Sequence, residues 1–137
     1  MLEVRVVRSR RDRNRFLNLP DVLYRSDPYW VRPLKSERDL ALDIHRNPFY
    51  QHAELELFLA TRGGQPLGRI AAIVNHAHND FHREQTGFFG FFETVDDVEV
   101  AGGLIEAAGR WLRDRGMRRL RGPASPSMNA ECGVLVE

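Results

Sequence analysis

The chain has 137 residues, 42% of them apolar and 28% charged, with a formal net charge of +1. That is one domain's worth of chain with enough apolar material for a core, and its near-neutral balance gives no electrostatic case for nucleic acid or an anionic membrane as partner. Cys132 has no second cysteine to pair with, and the longest apolar run, Ile70 to Val74, is far short of the about 20 residues that a membrane span needs.

The first residues carry charges at Glu3, Arg5 and Arg8 and lack the apolar core of a signal peptide, so the expectation is a soluble, cytoplasmic protein. Lys35 is the only lysine, which reads as a compositional bias toward arginine. Residues near 2–8 alternate apolar and polar and predict a short strand. Ser9 is placed to cap a helix, with Asp12 three residues on. Phe16, Leu17 and Leu19 give that helix an apolar stripe, and Pro20 closes it or opens the next piece, Asp21 to Arg25. The arginines at 10, 11, 13 and 15 read either as a phosphate-binding patch or as a solvated helix face. Asp12 interrupts them and aromatics are absent, which favours the solvated face.

Asp27 to Pro33 forms a rigid aromatic loop containing Tyr29 and Trp30, with both prolines fixing φ. Ser36 is expected to cap a second short helix whose core contacts are Leu40 and Leu42. Tyr50 lies just ahead of the next strand. These three aromatics either shape a substrate mouth or pack against the sheet.

Three consecutive strands then follow, near 54–61, 67–75 and 86–93. The first alternates Leu55, Leu57 and Leu59 with Glu54, Glu56 and Phe58, and the Gly63-Gly64 pair supplies a tight reversal. The second is nearly all apolar and belongs at the centre of the sheet. The third carries four phenylalanines around Gly90, which suggests a bulge or a close approach. Between the last two, His76, His78, Asp80 and His82 read as a polar connection. A metal site would need three or four converging ligands, and the expectation is no metal.

A long helix near 97–115 is marked by Asp96 and Asp97 at its start and by the stripe Val100, Leu104, Ala107, Ala108, Trp111, Leu112. Trp111 is expected to be largely buried. A fifth strand near 117–122 and an apolar run, Val134 to Val136, complete the reading.

The fold class is therefore α/β (α+β) with a mixed, mostly antiparallel sheet. Its order of strand, two short helices, three strands, long helix and strand resembles the first part of the GNAT superfamily of N-acetyltransferases. Gly68-Arg-Ile-Ala-Ala72 is similar to the third-strand region of that superfamily, Phe88 to Glu93 to the fourth strand, and Leu104 to Gly116 to the helix after it. Phe49 to Glu54, Gly87 to Glu93 and Arg121-Gly-Pro123 further resemble a group of bacterial GNAT-like proteins whose chains continue beyond this point. The resemblance implies one GNAT-like domain, here an N-terminal portion that lacks the last helix and two strands.

It also implies acyl transfer from acetyl-CoA to a small-molecule or peptide amine. Glu93 would be the general base, the backbone of Phe91, Phe92 and Thr94 together with Ala101 would meet the cofactor, and the amine would enter near Tyr29, Trp30 and Tyr50. In the superfamily a glycine-rich loop before the long helix holds the cofactor's pyrophosphate. Here that stretch is Asp96 to Ala101, and only Ala101 fits it. Weak or lost acetyl-CoA binding is the expectation, with a non-catalytic binding module as the alternative. Apolar surface on the fifth strand and at Val134 to Val136 favours self-association as a homo-oligomer.

Overall fold

In the computed structural model, residues 1–127 and 132–133 are described; Val134 to Val136 lie outside them. The order is β1 (Leu2–Val6), α1 (Arg10–Leu23), α2 (Lys35–Ala41), a 3₁₀ turn (Pro48–Gln51), β2 (Ala53–Arg62), β3 (Gln65–Asn75), α3 (His76–His82), β4 (Thr86–Thr94), α4 (Val98–Asp114) and β5 (Arg119–Arg121). The strands lie side by side in sequence order, antiparallel except for the last pair, in which β5 runs parallel to β4. The β2–β3 reversal is the two-residue turn Gly63-Gly64, at φ 59° and 80°, a conformation that favours glycine at both places.

Period-2 alternation in β3 builds two cores. Ile70, Ala72 and Val74 pack with Phe58 and Ala60 under the Val100, Leu104, Ala108 and Leu112 stripe of α4. Ala71 and Ile73 face the other way, with Leu57, Phe88 and Leu42, toward Phe16 and Leu17 of α1. Every residue from Ile70 to Val74 is fully buried, as a central strand covered on both faces requires.

Several elements differ from expectation. α1 runs straight through Pro20 instead of stopping there. The 76–82 connection is a helix, nucleated by Asn75, whose side chain accepts the His78 amide at 3.0 Å, and closed by Arg83 at φ 53°. Ser36 does not cap α2; Leu34 holds that position with no side-chain bond, and Leu40 is exposed while Leu42 is buried. Trp111 packs against the α4-side core as expected, though not fully buried, and the Arg115 guanidinium lies over its ring, 3.6 Å from the centroid.

Ser9 does cap α1, accepting the Asp12 amide at 3.0 Å. Ser9→Ala should therefore cost about 1 kcal/mol in urea-denaturation stability.

Candidate functional site

β4 does not run straight. Its register against β3 passes from Ala71 opposite Gly90 to Arg69 opposite Glu93, so β4 fits one extra residue into the same length. Phe91 absorbs the excess at φ 50°, a left-handed conformation that costs a side-chain-bearing residue roughly 1–2 kcal/mol. The bulge resets which face each later side chain meets. Phe88 and Phe91 pack toward α1, and Phe89 and Phe92 toward α4. Simple alternation from Phe89 would send Glu93 under α4. The bulge turns it toward α1 instead, where its carboxylate meets Tyr24.

Three groups meet there. The Tyr24 hydroxyl donates to Glu93 Oε2, and its ring lies 5.8 Å from that of Trp30. Burial, reinforced by the bond to Glu93, pushes the Tyr24 phenol up to about 12, so it stays a proton donor through neutral pH. Arg69, only 8% exposed, donates from Nη1 to the Phe16 carbonyl at 2.7 Å. Burial lowers its guanidinium to about 10, with Glu93 as the largest opposing influence, and it remains charged at neutral pH.

A cleft of about 310 Å³ opens onto this group, lined in part by Leu17, Pro20, Trp30, Pro33, Leu42 and Phe91 and in part by Glu37, Arg38, Arg69, Glu93 and Ser125. Its far wall is fixed by Asp21, which takes Arg38 through two bonds of 2.9 and 3.2 Å and Arg32 at 3.1 Å. The Arg38 bonds hold the Asp21 carboxyl below its ordinary range. A cleft with one apolar wall, two carboxylates (Glu37 and Glu93) and two guanidinium groups already engaged by the Phe16 carbonyl and Asp21 can take an amine that carries an apolar body.

Of the residues singled out from the sequence, Glu93, Phe91 and Trp30 line this cleft. Tyr29 does not; it is 90% exposed. Tyr50 is buried elsewhere and donates its hydroxyl to the Ala41 carbonyl at 2.5 Å, with burial pushing the phenol well up. Phe92 packs against the α4 core, and Ala101 sits in the first turn of α4, its amide donating to the Asp97 carbonyl. Sequence reasoning missed Tyr24, Arg69 and Pro20. The signal for Arg69 was present: a lone charge inside a strand otherwise apolar is seldom a solvated one.

Two of the three histidines of α3 are paired with carboxylates. His76 meets Glu54 at 2.9 Å and His78 meets Glu84 at 2.6 Å. Among the described residues, no three ligand-type side chains converge as a metal site.

No family model matches the chain. It is 42% identical over 136 residues to the bacterial ceramide synthase of Caulobacter vibrioides, covering 98% of this chain and 35% of that protein. It is 35% identical over 134 residues to Protein YghO of Escherichia coli, covering 98% and 34%. The chain thus spans about a third of the length of the curated relatives it matches. Among solved structures it superposes on the aminoglycoside acetyltransferase AAC(6')-Iy, bound to a CoA-containing bisubstrate analogue, with a TM-score of 0.63 at 18% identity over 94% of this chain and 83% of that one. It superposes equally broadly on an aminoglycoside acetyltransferase from an uncultured soil metagenome, in complex with trehalose (TM-score 0.59, 11% identity, 99% and 93% covered). A tandem GNAT protein of clavulanic acid biosynthesis gives a TM-score of 0.62 at 14% identity, covering 90% of this chain and 39% of that one. The chain has the GNAT fold.

In this GNAT fold, the residues that the resemblance sets against acetyl-CoA are engaged within the chain. At the start of α4 the Asp97 carboxylate accepts the Glu99 amide at 2.9 Å, taking the place an anionic ligand needs. That bond, then Arg62, holds the Asp97 carboxyl below its ordinary range. Arg62 stands 3.3 Å from Asp97 and 3.6 Å from Glu99, so its guanidinium is engaged by the chain's own carboxylates. Beside β4, the segment after β5 is hydrogen-bonded to the strand. The Ala124 amide donates to the Phe89 carbonyl at 2.9 Å, and the Phe91 amide donates to Ser125 Oγ at 3.0 Å.

Proposed function

We propose that this chain is the acceptor-binding part of an N-acyltransferase whose acceptor is a long-chain amine, with Glu93 as the general base. The observation that carries this reading is the bulge at Phe91, which puts Glu93 in a cleft with one apolar wall, beside a neutral phenol and a buried guanidinium. An amine enters as an ammonium ion, attracted by the Glu93 carboxylate, and must lose a proton before it can attack an acyl carbon. Glu93 takes that proton. Tyr24, protonated at neutral pH, steadies the carboxylate by its hydrogen bond.

The chemistry of one relative supports the same acceptor class. A ceramide is the amide of a fatty acid with a long-chain amino alcohol, and the walls of the cleft suit an alkyl chain. Binding of the acceptor should be visible directly. Dodecylamine should quench or shift Trp30 fluorescence, and methylamine at the same concentration should not. Equal responses to both, or to neither, would remove the cleft as the acceptor site.

Acetyl-CoA is held weakly or not at all by the residues of this chain. Asp97 and Glu99 would face the pyrophosphate, and each exposed like-charge pair would cost on the order of 1 kcal/mol even in water. The double change Asp97→Asn with Glu99→Gln should raise CoA affinity by about tenfold in calorimetry. No gain would mean that the carboxylates are not what limits binding. The second reading, a non-catalytic GNAT-fold module, rests on this same misfit of the cofactor residues. It separates from the first by showing amine binding without acyl transfer.

A further inference from the structure

Pro20 lies in the interior of α1, four residues after Phe16. A residue there ordinarily donates its amide to the carbonyl one turn back, but proline has no N–H to give. The Phe16 oxygen left free by Pro20 is the one that accepts Arg69 Nη1 at 2.7 Å. The same guanidinium lies over the Phe16 ring, 5.0 Å from its centroid. Arg69 Nε is buried with no partner. A buried cation without a close ion pair is a poor way to stabilise a fold, since an apolar side chain of similar volume often does as well or better. What it faces gives a better reason for its presence. Arg69 and Glu93 are register partners across the bulge, and Tyr24 donates to Glu93.

We infer that Arg69 is a positioning residue for Glu93, tethered by the carbonyl that Pro20 leaves free, so that it stands off as a fixed charge and does not close onto the carboxylate. The attraction keeps the Glu93 oxygens at Tyr24 and toward the cleft. The tether occupies one edge of the guanidinium, which blocks the two-pronged Arg–carboxylate pairing that would take Glu93 out of use. The inference rests on the reading of Glu93 as the base.

A double-mutant cycle tests it. Arg69→Met removes the charge and leaves the Phe16 carbonyl without a donor, whereas Pro20→Ala supplies an amide for that carbonyl. Arg69→Met should lower Tm, and adding Pro20→Ala should recover much of the loss, while Pro20→Ala alone gives no comparable gain. The site should not recover with the fold. The ¹³Cζ resonance of Tyr24 should move away from its carboxylate-bonded position in Arg69→Met and stay there in the double variant. kcat/KM for transfer to a long-chain amine should remain at least about tenfold below wild type in both. Failure of the double variant to regain Tm overturns the tether. A Tyr24 resonance that returns along with Tm, or never moves, overturns the positioning role and leaves Arg69 a structural residue. If the resonance behaves as expected but the wild type transfers no acyl group, the acyltransferase reading fails and the positioning of Glu93 stands.

Discussion

Glu93→Gln is expected to lower acyl transfer to a long-chain amine by about 10²–10⁴-fold, the usual worth of a positioned general base. The substitution is nearly isosteric, and the amide oxygen of glutamine still accepts the Tyr24 hydroxyl, so Tm should hardly change. The loss should fall on kcat more than on KM, because the cleft walls that hold the alkyl chain are untouched. Alkaline pH should restore part of the rate, since solvent then supplies the free amine that Glu93 otherwise generates. A variant retaining more than half of the wild-type kcat would show that another group removes the proton.

Gly90→Ala is expected to be the most damaging single-methyl change in the sheet. An added Cβ would stand 1.7 Å from the Ala124 carbonyl oxygen, a backbone atom that no side-chain rotation can move. The segment after β5 must then leave β4, losing both the Ala124–Phe89 bond and the Ser125 cap on the Phe91 amide. A cost of about 2–4 kcal/mol follows from the overpacking and the lost bonds together. Denaturant titration measures the cost, and hydrogen exchange at the Phe91 amide identifies the place. Unchanged protection of that amide would mean that the segment does not pack on β4 as described.

Much of the framework was legible because local signals agreed with one another. The Ser9–Asp12 cap, the Gly63-Gly64 turn, the apolar run from Ile70 to Val74 and the stripe of α4 each point to the element that forms. Pro20 misled because a proline inside a helix is normally a stop. Here a side chain from β3 satisfies the carbonyl it orphans, and that partner is 53 residues away from Phe16 in sequence. The α3 helix was missed because three histidines carry little apolar periodicity, and a single capping asparagine outweighs them.

The site was less legible than the fold. Glycine at 90 pointed to a bulge or a close approach, and it proves to be the close approach of Ala124; the bulge belongs to Phe91 next to it. A one-residue difference of that kind decides which face Glu93 meets, and residue types alone do not fix it. Tyr24 carried no motif of its own. It gains its role only because α1 continues past Pro20 and carries the ring to the edge of the cleft. Tyr29, its conspicuous neighbour in the aromatic loop, turns outward instead.

The most direct measurement is release of free thiol from a long-chain acyl-CoA by the purified protein as the acceptor amine is lengthened from methylamine to a long-chain amino alcohol. Release that appears only with the long amines, and is lost in Glu93→Gln, is the expected result. CoA bound tightly with no release for any amine, or equal release for short and long amines, would contradict the assignment of this cleft to a long-chain acceptor.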